Sequence, residues 1–130
     1  MCSYFFWDIE NVSFHNLEKI MKRVHEIDGD VKLYAVYSKI KEARKSCLSE
    51  NGWELVQTDG IARNSADSRI QNMIGSVLDS ENNLPEQIIL ITEDKGFFKI
   101  SREIIGKGIH LEVICGTKNP QWIKNLKLSS

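Results

Sequence analysis

The sequence predicts an α/β fold in which helices cover both faces of a parallel five-stranded sheet. Five apolar segments alternate with four segments of helical periodicity, in the order β-α-β-α-β-α-β-α-β. Right-handed crossovers turn such an alternation into a doubly wound parallel sheet. The first apolar segment, Tyr4 to Trp7, has four consecutive aromatic residues, as central strands buried on both faces do. The 130 residues predict one domain, 1–130, because they are too few for two such units.

The first half of the chain supplies two helices between three strands. After the aromatic strand, residues 16–28 carry apolar side chains at helical spacing opposite a charged face. Residues 31–37 form the second strand, and residues 53–57 alternate enough to form a short edge strand. Between these strands a helix is predicted over residues 40–50, ended by Gly52. Its inward positions are Ile40, Ala43, Cys47 and Leu48.

The second half of the chain repeats the pattern. A polar loop over residues 58–64 leads into a third helix over residues 65–78. Residues 87–92 and 110–115 are apolar strands, separated by a fourth helix over residues 97–105. The buried stripe of the third helix consists of Ile70, Met73, Ile74, Val77 and Leu78. A short helix is also predicted in the tail, where Trp122 is suited either to core packing or to stacking on a base.

Charge and cysteine content restrict the class of protein. Lys and Arg total 17 and Asp and Glu total 18, so any basic surface for nucleic acid must be local. One basic group, near the second helix, is either a solvated face or a phosphate-binding surface; it consists of Lys39, Lys41, Arg44 and Lys45. Three scattered cysteines without metal-ligand spacing indicate reduced thiols. With no signal-peptide pattern and no apolar span, we expect a cytoplasmic protein without a membrane partner.

Acidic residues follow two of the buried strands and begin one helix. Asp8 ends the first strand, Asp94 follows the fourth, and Asp67 lies in the first turn of the third helix. Open α/β sheets hold their ligands at the carboxyl ends of the strands. If the strand order is 3-2-1-4-5, Asp8 and Asp94 face each other there and Asp67 leans over the same edge. The residues by themselves do not fix this order.

Three carboxylates at one edge have a specific chemical consequence. They repel one another unless a cation or protons neutralise them, and oxygen ligands suit Mg²⁺ or Mn²⁺ better than zinc. Such a metal can activate water and neutralise charge on a phosphodiester. Each acid also has a simpler interpretation, as a loop cap or, for Asp67, as a charge at the positive end of a helix. Glu10 and Glu93 are supporting candidates at most, and Glu93 is equally consistent with a solvent-facing side chain.

Three blocks of the sequence resemble a known family. FFWDIENVSF looks like the D-x-x-N signature of NYN domains, a branch of the PIN-like metal-dependent ribonucleases. ARNSADSRI resembles the middle block of that family, and IILITEDKGFFKISREIIGKGIHLEVI resembles its closing block. Within this family, the three blocks resemble the limkain type in particular. The resemblance implies the PIN-like fold with sheet order 3-2-1-4-5. It also implies that Asp8, Asp67 and Asp94 are catalytic metal ligands, supported by Asn11.

The sequence departs from the family pattern at three positions. Gly96 stands where the family usually has a second Asp or Asn, and Met73 lies where many members place another acid. Ser38 is also not the Asp seen in some relatives. One bound metal, weak activity and an inactive RNA-binding relative are all compatible with this reduced set of acids.

The resulting functional prediction is a metal-dependent endoribonuclease that hydrolyses RNA with Mg²⁺ or Mn²⁺. Single-stranded or looped RNA is the expected partner, because cleavage needs an accessible phosphate, and a homodimer is left open. Candidate contacts to the RNA backbone are Lys39, Lys41, Arg63, Arg69 and Lys95. The alternative is a non-catalytic RNA-binding or protein-interaction module. An aspartyl-phosphate phosphatase using Asp8 and Glu10 ranks third, because Glu10-Asn11 serves that chemistry poorly.

Overall fold

The computed structural model describes residues 2–59, 65–80, 82–116 and 118–129, without the side chains of residues 127–129. Arg63 and most of the predicted loop 58–64 lie outside the described residues. The strands are β1 Cys2–Asp8, β2 Asp30–Tyr37, β3 Glu54–Gln57, β4 Gln87–Ile91 and β5 His110–Ile114. The helices are α1 Leu17–His25, α2 Glu42–Glu50, α3 Ser65–Asp79, α4 Phe98–Gly106 and α5 Gln121–Ser129. In the described ranges, no helix combines the length and the apolar character needed to cross a membrane.

All five strands are parallel and form one sheet in the order β3-β2-β1-β4-β5. This confirms the α/β prediction and the order that the resemblance implied. β1 lies at the centre, paired with β2 on one side and β4 on the other. The chain order therefore reverses between β1 and β4, which makes their carboxyl ends the switch point of the sheet.

The aromatic residues of β1 supply both hydrophobic cores. Phe6 is 1% exposed and packs in one core with residues of α3, α4 and α5. Phe5 and Trp7 are fully buried in the other core, with residues of α1 and α2. Because successive side chains of a strand point to opposite faces, the two cores lie on opposite sides of the sheet. Full burial of each Phe stabilises the fold by roughly 1.5–3 kcal/mol. β1 therefore contributes to the packing of helices on both faces of the sheet.

The second helix differs from its prediction. α2 begins at Glu42 rather than Ile40, and Lys41 has extended backbone angles as its N-cap. Ala43, predicted to face inward, is exposed, and Leu48 is the buried residue of the helix. Apolar spacing was too sparse here to mark the first turn. Gly52 has a φ of 90°, so the prediction that it ends this segment with a left-handed residue is confirmed.

The environment of Trp122 in the tail helix distinguishes between its two predicted roles, core packing and stacking on a base. Its side chain is 8% exposed and packs in the core with Ile123 and Leu126. The indole Nε1 donates a hydrogen bond to the carbonyl oxygen of Glu93 at 3.1 Å. Trp122 is therefore a core residue that ties α5 to the segment after β4, and it is not available to stack on a base.

We predict that Gly75→Ala stabilises the protein. Gly75 lies inside α3, where an added Cβ would meet no atom within 4 Å. Alanine loses less conformational freedom in a helix than glycine, so the free energy of unfolding should rise by about 0.5–1 kcal/mol. Urea denaturation of the two proteins measures the change. A lower unfolding midpoint for the variant would show that α3 does not tolerate a methyl group at this position.

Candidate acidic site at the carboxyl ends of β1 and β4

The register of the sheet brings the first acid next to the end of β4. Trp7 pairs with Ile91, so the following residues, Asp8 and Thr92, lie side by side where the two strands end. Asp8 is the last residue of β1 and is fully buried, and Thr92 is 1% exposed. A carboxyl group this deep in an apolar sheet needs hydrogen-bond donors around it.

Asp8 has such donors on one oxygen and none on the other. Its Oδ2 accepts a hydrogen bond from Asn11 Nδ2 at 2.5 Å and one from the Thr92 hydroxyl at 3.3 Å. Its Oδ1 is buried without any partner. A buried acceptor without a partner is costly, and a water molecule or a cation would satisfy it.

Burial controls the protonation of Asp8. It raises the pKa of this carboxyl from 3.8 to about 6, because the ionised form loses its hydration. The hydrogen bonds from Asn11 and Thr92 act in the opposite direction, and the negative charges of Glu10 and Asp67 add a further small rise. The ionised form, which is dominant at neutral pH, is therefore held in an unfavourable environment.

The other two acids lie in contact with each other. Asp67, in the first turn of α3, is 8% exposed, and Asp94 caps the 3-10 turn Lys95–Phe97 through a 3.0 Å hydrogen bond from Gly96 N to its Oδ1. Burial raises the pKa of Asp67, and a side-chain hydrogen bond and charge repulsion from Asp94 raise it further. A hydrogen bond from Gln71 opposes this rise. The two carboxyl groups thus lie close enough to repel each other when both are ionised.

Gly96 lies directly against both carboxyl groups. A Cβ built at this position would be 2.6 Å from Asp67 Oδ2 and 3.5–3.6 Å from the two carboxyl oxygens of Asp94. A distance of 2.6 Å is shorter than real Cβ contacts allow. The glycine therefore makes room for Asp67, and an Asp or Asn at this position would require Asp67 to move.

The chemistry of this donor set suits a hard divalent cation. Three carboxyl groups converge on the switch point, and one of them keeps a buried oxygen without a partner. Within the described residues, however, no group of three or more His, Cys, Asp or Glu side chains could hold a metal ion as it stands. The residues therefore fit a cation such as Mg²⁺ in chemical type, and its binding would require the side chains to draw closer together.

The supporting acids have other partners. The carboxylate of Glu10 accepts hydrogen bonds from the backbone N–H of Ser38, at 3.0 Å, and from its hydroxyl. Glu93 is half-buried, and its Oε2 accepts a 2.7 Å hydrogen bond from Gly116 N. The carboxylate of Glu93 is therefore not simply solvated; it also binds the backbone of the segment after β5. Of the candidates named for support, Asn11 contacts Asp8 directly.

Four of the five basic candidates lie within the described residues, and all four are exposed. Lys39 and Lys41 are exposed on the segment that follows β2, and Lys95 is exposed on the turn after Asp94. Arg69 is exposed on α3, two residues after Asp67. Arg63 lies outside the described residues.

Two other cations near α2 contact the protein itself. Arg44 lies over the ring of Phe14 at 5.1 Å. Lys45 lies over the ring of Tyr37 at 5.6 Å and its Nζ is 3.2 Å from Glu42 Oε1. Because both cations already contact side chains of the protein, these contacts argue against a phosphate-binding role and favour the interpretation of this helix face as an ordinary surface.

Sequence reasoning missed two residues of the site. Thr92 joins two acids, because its hydroxyl donates to Asp8 and accepts a 3.1 Å hydrogen bond from Asp94 N. Gln71 donates to Asp67 Oδ1 and to the carbonyl oxygen of Gly96, the latter at 3.3 Å. The spacing of Asp67 and Gln71, four residues apart on a helix, was a usable signal for their contact. Nothing in the sequence indicated the contact with Gly96.

Comparison with known proteins agrees with this architecture. The crystal structure of a Vibrio parahaemolyticus protein of unknown function is similar, with a TM-score of 0.72 and 16% sequence identity. The match covers 95% of this chain and 87% of the other. At this identity the likeness concerns the fold alone. No curated protein matches the sequence.

The family comparison is more specific. The NYN domain family matches residues 4–126, which contain all five strands from Tyr4 onward and all three acids of the switch point. NYN domains form a branch of the PIN-like nuclease superfamily, and the parallel sheet in the order 3-2-1-4-5 agrees with that membership. The chain therefore belongs to the NYN domain family.

Proposed function

We propose that this NYN domain is a metal-dependent endoribonuclease, with Mg²⁺ or Mn²⁺ held by Asp8, Asp67 and Asp94. The observation that supports this most is the state of Asp8, which is fully buried, keeps one oxygen without a partner and has a pKa raised to about 6. A carboxylate with no other use would be better replaced by an apolar residue at this position. A cation among the three acids would compensate both the burial of Asp8 and the repulsion between Asp67 and Asp94.

The burial of Asp8 also limits what it can do. A carboxyl group with no exposed surface cannot reach an RNA phosphate directly. Its proposed role is to hold the metal ion, which would itself contact the substrate. Asp94 is half-buried and lies closer to the surface, so the substrate would approach from its side of the site.

The roles of the remaining residues follow from their contacts. Asn11 and Thr92 orient the Asp8 carboxyl through its Oδ2 and leave Oδ1 available. Gly96 N fixes the rotamer of Asp94. When bound, Mg²⁺ or Mn²⁺ would neutralise charge on the phosphodiester and lower the pKa of the attacking water. No histidine belongs to these contacts, which makes the acids the central chemical groups of the proposal.

RNA is the proposed substrate, and its backbone would be attracted by exposed cations. Lys39, Lys41 and Lys95 lie on segments that follow β2 and β4, at the same edge as the acids. Arg69 and Arg63 are the two further candidates. A cavity of about 680 Å³ beside β5 includes none of the three acids in its lining. The three acids therefore lie outside that cavity, which plays no part in the proposal.

A non-catalytic RNA-binding module is the alternative. Met73, at a position where many relatives carry an acid, is partly buried against the core and contributes no ligand. The described side chains also form no ready-made group of three metal ligands. If the acids do not bind a cation, the same fold would act through its basic surface alone.

We predict that millimolar Mn²⁺ raises the melting temperature of the protein. A ligand that binds only the native state stabilises it by about 2.7 kcal/mol at a hundredfold excess over Kd, which is several degrees in a domain of this size. The measurement is a thermal melt, with EDTA and matched NaCl as controls. The same samples are then tested for cleavage of unstructured RNA. Absence of any Mn²⁺-specific shift and of any cleavage would favour the non-catalytic module.

A further inference from the structure

Asp67 is the one acid of the three that does not come from the end of a strand. Asp8 and Asp94 are placed by β1 and β4, which are hydrogen-bonded neighbours. Asp67 lies on α3, so its position relative to the other two depends on how this helix is fixed against the turn after β4. Side-chain contacts between α3 and that turn therefore decide whether the three acids meet.

The side chain of Gln71 makes such a contact. Its Nε2 donates to Asp67 Oδ1 and, at 3.3 Å, to the carbonyl oxygen of Gly96. One amide group thus connects the carboxyl of Asp67 to the backbone of the 3-10 turn that Asp94 caps. It also occupies Oδ1, which leaves Oδ2 directed at Gly96.

Gly96 completes the arrangement from the other side. Asp67 Oδ2 lies where a side chain at this position would begin, 2.6 Å from an added Cβ. Gln71 therefore donates a hydrogen bond to Oδ1 of Asp67. The absence of a side chain at Gly96 leaves room for Oδ2 of Asp67 next to Asp94. The two residues act on the same carboxyl group.

We propose that Gln71 and Gly96 are positioning residues for Asp67, which together place its carboxyl group beside Asp94 for binding of a divalent cation. This inference rests on the proposed function and deepens it. Gly96 leaves room for the Asp67 carboxyl in its present position, so the departure from the family pattern does not by itself indicate a lost site. An acid at this position would displace the ligand that Gln71 holds.

The test compares two glutamine variants. Gln71→Met keeps the length of the side chain and removes the amide. Gln121→Met removes a similar contact elsewhere, because Gln121 Nε2 donates to Asn125 Oδ1 four residues later in α5, at 3.1 Å. Loss of a partner that orients a metal ligand typically lowers metal affinity by about 10–100-fold. We expect that loss of Mn²⁺ affinity for Gln71→Met, by titration calorimetry, and no change for Gln121→Met.

A second pair of variants tests the glycine. Gly96→Ala adds the methyl group that would meet Asp67, and Gly75→Ala adds one that meets nothing. Mn²⁺ affinity should fall for Gly96→Ala and stay unchanged for Gly75→Ala. RNA cleavage by Gln71→Met and Gly96→Ala should recover as Mn²⁺ is raised, since each keeps all three acids. A merely structural role would lower melting temperatures without a recovery by Mn²⁺. Unchanged Mn²⁺ affinity in both variants would overturn the inference.

A metal-free measurement separates this inference from the proposed function. If the wild-type protein binds no Mn²⁺, the proposed function is refuted. The contact between Gln71 and Asp67 is then tested by a double-mutant cycle of Gln71→Met and Asp67→Ala. Gln71→Met should lower the melting temperature by at least about 3 °C more when Asp67 is present than when it is Ala. Additive shifts would overturn the positioning role even in the metal-free protein.

Discussion

Replacing Asp94 with Asn should abolish RNA cleavage while leaving the fold and most of the RNA affinity intact. The variant keeps the shape of the side chain and an oxygen that can accept the hydrogen bond from Gly96 N. It removes one negative charge from the group that we propose holds the cation. Loss of a metal ligand should lower the cleavage rate by about a thousandfold or more, about 4 kcal/mol of transition-state stabilisation. RNA affinity should change little or rise, because a carboxylate near the phosphates is removed.

The simpler role of Asp94 makes a different prediction. If it only caps the turn Lys95–Phe97, Asn would preserve the cap and cleavage would be unaffected. The measurement is a gel assay on unstructured RNA with added Mn²⁺, run beside thermal melts. Asp79→Asn serves as the control, since it removes an exposed carboxylate at the far end of α3. Mn²⁺-dependent cleavage that persists in purified Asp94→Asn would refute its assignment as a ligand.

Local pattern in the sequence was sufficient for most of the fold. The aromatic run of β1 predicted a central strand because no polar residue interrupts it, and the structure places it between β2 and β4. The order of the sheet came from the resemblance, since apolar runs do not say which strands pair. The start of α2 was misplaced because Ile40 and Ala43 extend its sparse apolar spacing towards the amino terminus, whereas Lys41 is extended and Ala43 is exposed.

The site was predictable only in part, for a physical reason. Acids that follow buried strands can be identified from their neighbours in the chain, and that is how Asp8 and Asp94 were selected. The contacts of Gly96 with Asp67 and of Glu93 with Gly116 join segments that are distant in sequence. Such contacts depend on how helices and loops pack, to within about an ångström, and no periodicity encodes that distance. Gly96 therefore looked like a missing ligand when taken from the sequence alone.

Asp8→Asn should make the metal-free protein more stable at neutral pH. A pKa raised from 3.8 to about 6 means that ionised Asp8 destabilises the fold by about 3 kcal/mol above pH 6. Asn removes this charge and can still accept the hydrogen bonds from Asn11 and Thr92 through its oxygen. Its amide nitrogen would take the place of the unpartnered Oδ1 and offset part of the gain, which leaves a net stabilisation of about 1–2 kcal/mol.

The stabilisation should depend on pH with a defined sign. Because the pKa of Asp8 is higher in the folded state than in the unfolded chain, the folded state binds the extra proton between about pH 4 and pH 6. Below pH 4, where Asp8 is protonated in both states, it does not destabilise the fold. As the pH rises through 6, Asp8 ionises in the folded state and the free energy of unfolding of the wild type falls. The advantage of Asp8→Asn should be largest above pH 6 and should shrink or reverse towards pH 4. Urea unfolding across this range, compared as the difference between the two proteins, measures it.

The same variant should lose its response to metal, and this combination of results is what distinguishes a ligand from a structural acid. A buried carboxylate that only supports the fold would give a variant with lower stability and an unchanged Mn²⁺ response. A carboxylate kept for a cation gives a variant that is more stable without metal and whose melting temperature no longer rises with Mn²⁺. Asp79→Asn, which removes an exposed charge, should change neither property. If Asp8→Asn is less stable than wild type at neutral pH and still gains the full Mn²⁺ shift, Asp8 is a structural residue and the acidic edge does not bind the cation through it.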